Sequence, residues 1–108
     1  MKATIYTRLA PGRAYAVLPP EYRQLVTVED LGPGEHTVVQ FPPERGVAVL
    51  SRALRKALAQ AGDTAPVIVF GPNFTAEARA VLASSQGQAY SIGEIYWTDA
   101  SYSASRTG

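Results

Sequence analysis

The chain has no cysteine and a single histidine, His36, so thiolate chemistry is ruled out and imidazole chemistry has one residue to act through. One histidine makes neither a multi-histidine metal site nor a catalytic triad without partners that the sequence does not place. Beside Glu35 and just past Gly34, His36 reads as a surface residue at the start of a strand. Ser51 lacks the flanking glycines of a nucleophile elbow, which argues against a serine hydrolase. The carboxylates Asp30, Glu77 and Glu94 would have to converge from distant positions to act together. Glu77 already has an explanation, since an acid near a helix N-terminus interacts favourably with the helix dipole. Residues 65–82, APVIVFGPNFTAEARAVL, turn from strand to helix at Gly71-Pro72, but carry no phosphate-loop lysine and no paired glycines.

Two groupings have the composition of binding surfaces. Arg45, Arg52, Arg55 and Lys56 form a basic set in which positions 45, 52 and 56 fall close in angle on a 3.6-residue helix. They lie opposite much of the apolar stripe. Such a face could contact several phosphates, weakly, without sequence preference and with strong salt dependence; the plainer alternative is an ordinary solvated helix face. Tyr90, Tyr96, Trp97 and Tyr102 form an aromatic run near the C-terminus. Aromatics stack on unpaired bases and also anchor protein interfaces. Tyr96 and Trp97 are adjacent in a presumed strand, so they point to opposite faces and one of them needs a partner beyond the core.

The elements that must position these groups follow from punctuation and periodicity. Residues 3–7 and 14–18 read as two strands of a hairpin turning at Pro11-Gly12. Pro19-Pro20 ends the second, and residues 21–25 suit one helical turn before a short apolar run over 25–28. Gly32-Pro33-Gly34 turns the chain into TVVQF, residues 37–41, a β-branched run suited to a central strand. From Gly46 to Ala61 the apolar residues Val47, Leu50, Ala53, Leu54, Ala57, Leu58 and Ala61 recur at helical spacing. Glu44 before this helix, Arg55 and Lys56 in its later half and Gly62 after it all suit the macrodipole and a C-cap. Residues 67–70 read as a strand buried on both faces. Residues 75–84 read as a second helix capped by Asn73 or Thr75, burying Phe74, Ala78, Val81 and Leu82. Residues 89–98 supply a last strand, and 99–108 a flexible C-terminal tail.

This order predicts an α/β fold: one domain over residues 1–98, with an N-terminal hairpin and a mixed sheet followed by a β-α-β-α-β unit. At 108 residues the chain suits one core, and at 46% apolar and 18% charged it is globular in composition. Its net charge of +1 supplies no global field for a polyanion, so any such binding must come from a local patch. Arg8, Pro11, Gly12 and Arg13 interrupt the N-terminal apolar run, unlike a secretory signal. A cytoplasmic location and no membrane partner are expected.

His36 to Trp97, with VVQF, the helix GVAVLSRALRKAL and the strand-to-helix VIVFGPNFTAEARAVL, resembles the C-terminal half of Mrr-type, restriction-endonuclease-like domains. In the resemblance Gln40 matches the glutamine of a Gln-x-Lys motif, and residues 74–78, FTAEA, match a Phe-Thr-x-x-Ala helix. The resemblance implies a divalent-metal site built on an aspartate, for which Asp30 has suitable spacing, with Gln40 as its neighbour. It also implies a lysine two positions after Gln40, and Pro42 stands there instead. Proline cannot position or activate the attacking water. The implied member is catalytically degenerate, with no cofactor.

The leading expectation is therefore a non-catalytic, nuclease-like module that binds DNA or RNA, or a complex acting on it, through Arg45, Arg52, Arg55 and Lys56. The competing expectation is a protein-interaction or homo-oligomerisation domain that uses Tyr96, Trp97 and Tyr102. A metal-dependent nuclease using Asp30 and Gln40 is the third.

Overall fold

The computed structural model describes residues 2–62, 66–84 and 88–92. The chain runs Thr4–Leu9 (β1), Pro11–Ala16 (α1), Pro20–Arg23 (α2), Val28–Leu31 (α3), His36–Gln40 (β2), Ser51–Ala61 (α4), Val67–Gly71 (β3), Ala76–Ser84 (α5) and Gln88–Ser91 (β4). The four strands form one mixed sheet in the order β1-β2-β3-β4. β1 is antiparallel to β2, whereas β2, β3 and β4 are mutually parallel. The fold is α/β, with β2-α4-β3-α5-β4 as its C-terminal unit.

The unalternating apolar runs are explained by cover on both faces of the sheet. Val39 and Val69 face one cluster, which takes in Leu54, Ala57 and Ala61 of α4 and Ala78 and Leu82 of α5. Val38, Ile68 and Phe70 face the other, with Ala14, Leu18, Tyr22, Val26 and Leu31 from the segment carrying α1 to α3. α4 and α5 thus share one face and pack against each other, while the three short helices take the opposite face. Among the described residues no helix is long and apolar enough to cross a membrane.

The predicted N-terminal hairpin is not formed. β1 pairs with β2 instead, and residues 11–16 are helical. Pro11 sits in the first turn of α1, where its missing N–H would have had no intrahelical partner. Ala14 and Leu18, four apart, are both buried. Pro20 opens α2 in the same way. Pro11 and Pro20 are thus helix starts. The short apolar run over residues 25–28 leads into α3, which begins at Val28.

α4 begins at Ser51, later than the periodicity implies. Val49 N–H donates to Asn73 O at 2.8 Å and Val49 O accepts from Thr75 N–H at 3.1 Å, a bridge that holds this backbone extended beside Phe74. Leu50, counted in the apolar stripe by spacing, is 57% exposed. The first turn of α4 holds no acid and its last turn no base, so Glu44, Arg55 and Lys56 do not flank its ends as expected. Gly62 does cap it, at φ +76°, donating to Leu58 O. α5 is capped by Thr75, whose Oγ1 accepts from Ala78 N–H at 3.2 Å.

β1 is irregular near its end. Tyr6 pairs with Val38 and Leu9 with His36, so three steps on β1 oppose two on β2. The extra residue makes a bulge, with Arg8 at φ +57°. Arg8 Nε reaches Glu35 Oε1 at 3.3 Å, an exposed pair worth at most about 1 kcal/mol.

Candidate basic surface

The carboxyl ends of parallel strands are the usual ligand position in open α/β sheets. Here three side chains at that end donate to backbone carbonyls. Gln40 Nε2 donates to Val17 O at 3.0 Å, tying the end of β2 to the C-cap of α1. The Tyr22 hydroxyl, fully buried, donates to Phe41 O at 2.6 Å. Ser91 Oγ donates to Pro72 O at 2.8 Å, joining β4 to the turn after β3. Burial pushes the Tyr22 phenol pKa well above its ordinary value, and the Glu21 carboxylate adds to the shift. Tyr22 therefore serves as a neutral hydrogen-bond donor over the ordinary pH range.

Asp30 occupies a local structural position. Its Oδ2 accepts from Thr27 N–H at 2.8 Å and its own N–H donates to Thr27 Oγ1 at 3.1 Å, a reciprocal capping box on α3. Asp30 and Gln40 lie on the α1–α3 side of the sheet and Glu77 on α5, in the layer across it. The structure does not bring these three together, and among the described residues no three His, Cys, Asp or Glu side chains cluster. Glu94 lies outside the described residues. His36 is only 8% exposed, not the surface residue its neighbours suggest, and its Nδ1 has no hydrogen-bond partner among the described residues. It is buried because β2, flanked by β1 and β3, is covered along its whole length.

The basic residues are placed differently. Arg52, Arg55 and Lys56 are exposed on α4, whose opposite side buries Leu54, Ala57 and Ala61. Arg52 and Lys56 are four apart and so adjacent on the helix surface, with Arg55 to the other side of Arg52. None of the three forms an ion pair with a described residue. Arg45 does not belong to this helical face: it is exposed in the loop before α4, because the Val49 bridge delays the helix.

Tertiary structure adds neighbours that spacing could not supply. Lys2, beside β1, and Gln60 line a groove with Lys56 on one flank of α4. Glu77 lines a hollow with Arg55 on the other. Lys2 is 54 positions from Lys56, and no local pattern links them. Of the aromatic run, Tyr90 is half-buried and stacks on Phe70, which in turn contacts Tyr22, with ring centroids 5.4 and 5.5 Å apart. Tyr96, Trp97, Tyr102 and the tail over 99–108 lie outside the described residues. No family model, no curated protein and no solved structure matches this chain.

Proposed function

We propose that this chain is a non-catalytic module that binds the nucleic-acid backbone through the exposed face of α4. The observation that carries this reading is the placement of Arg52, Arg55 and Lys56 side by side on a rigid helix, exposed, with no ion pair to another described residue. The helix already orders the backbone that carries these cations, and each phosphate contact releases condensed counterions. The target class follows from the resemblance to Mrr-type domains, and Pro42 in place of the lysine supports binding without cleavage. With a net charge of +1 there is little steering from afar, so the affinity is modest and set by the local patch.

Fluorescence anisotropy with a labelled DNA duplex of about 20 base pairs tests this. Three phosphate contacts give a log–log salt slope of about −2.7, or an affinity loss of about 40-fold from about 50 to about 200 mM salt. The double variant Arg52→Ala/Lys56→Ala is expected to cut that loss to about 3- to 4-fold and to weaken binding at low salt. Absence of binding by the wild-type chain at about 50 mM salt, or binding indifferent to the double substitution, overturns the proposal.

A further inference from the structure

Two hollows flank α4, and their charges differ. The groove on the β1 side, about 380 Å3, is lined among the described residues by Lys2, Ala3, Ala53, Lys56, Ala57 and Gln60, which include two cations and no carboxylate. The hollow on the α5 side, about 320 Å3, sets Arg55 beside Glu77. An anion approaching the first meets two like charges whose repulsion it relieves. An anion approaching the second meets a cation already partly compensated by a carboxylate.

From this asymmetry we infer that the groove between β1 and α4 is a phosphate-backbone subsite, so that a bound nucleic acid lies across Arg52, Lys56 and Lys2 and leaves Arg55 aside. The inference rests on the reading of α4 as the nucleic-acid face and adds a residue from another element and a direction. Among the described residues the groove's apolar lining is three alanines, with no aromatic ring on which an unpaired base could stack. It therefore holds backbone and not a splayed base. The Gln60 amide can donate to a phosphate oxygen at its rim. A duplex carries one charge per about 1.7 Å of axis, twice the density of one strand, so it places more phosphates over these three cations. Duplex is the preferred ligand.

Salt titrations of Lys2→Gln and Arg55→Gln with the duplex described above decide the matter. Both side chains are exposed, so neither substitution empties the core. Lys2→Gln is expected to reduce the magnitude of the log–log slope by about 0.9, while Arg55→Gln leaves it near the wild-type value. An equal effect of the two variants, including no effect of either, or a larger effect of Arg55→Gln, overturns the subsite. In those outcomes a wild-type slope lost in Arg52→Ala/Lys56→Ala keeps α4 as the binding face. A wild-type chain that fails to bind the duplex removes both readings.

Discussion

Tyr22 shows how much of this molecule's polar chemistry serves the framework. Its phenol is fully buried, donates to Phe41 O at 2.6 Å and touches the ring of Phe70. Tyr22→Phe keeps the ring but leaves the Phe41 carbonyl without its donor, which is expected to cost about 1 to 3 kcal/mol in urea unfolding. The same group makes stability depend on pH at the alkaline end. Burial, then the Glu21 charge, raises its folded pKa above the unfolded value of about 10. Above that pH the folded chain holds a proton that the unfolded chain has released, so this stabilisation is complete below about pH 10 and declines as pH rises further. Melts at about pH 8 and about pH 10.5 are expected to differ less for Tyr22→Phe than for the wild type. Asp30 and Gln40 show the limit of residue-level reading. Their types suit a metal site, but a capping box and a carbonyl contact account for the bonds they make here. The Thr-x-x-Asp spacing of the capping box, residues 27 and 30, was present in the sequence, although Asp in place of the usual Glu weakens that signal.

The strand-to-helix corner after β3 shows how elements are joined. A Cβ added at Gly71 would lie 2.9 Å from Phe74 Cζ and 3.1 Å from Val49 Cγ2. Glycine here lets the buried Phe74 ring close over the end of the strand, so the position serves close approach of packed groups. Gly71→Ala is expected to cost about 1 to 3 kcal/mol through overpacking. In a thermal melt that is a fall of about 4 °C or more. An unchanged melting temperature would show that the ring can move aside. This corner, β2, β3 and the body of α4 were legible in the sequence because apolar runs and helical spacing report burial directly. The hairpin was a misreading, because Pro-Gly is compatible with a turn and proline equally with the first turn of a helix. Spacing did not decide it, because positions 14 and 18 share a face in a strand as well as in a helix; β1 pairs with β2 instead, and Ala14 is buried from α1. The start of α4 was misplaced for a similar reason. Val47 and Leu50 continue its spacing, but the Val49 bridge to Phe74 is a long-range contact that holds them outside the helix.

Across the whole molecule, the order β1-β2-β3-β4 sets α4 between β1 and α5 and so determines what flanks its cations. Glu77, in the first turn of α5, has two opposing effects. It favours the helix dipole, and it offsets Arg55 across the shared hollow. Glu77→Gln is therefore expected to lower stability by about 0.3 to 1 kcal/mol while strengthening duplex binding. Anisotropy and urea unfolding on the same preparation would read both, and weaker binding would show that Glu77 is no competitor for Arg55. The amino-acid sequence by itself determined that the strand over residues 67–70 is covered on both faces and that α4 carries cations opposite an apolar stripe. Both follow from the periodicity of side chains along one element. Which strand lies beside α4, which carboxylate opposes Arg55, and that Lys2 joins Lys56 were decided only by the tertiary structure. Periodicity reports which face of an element is buried, but it carries no information about the order in which distant elements are laid side by side.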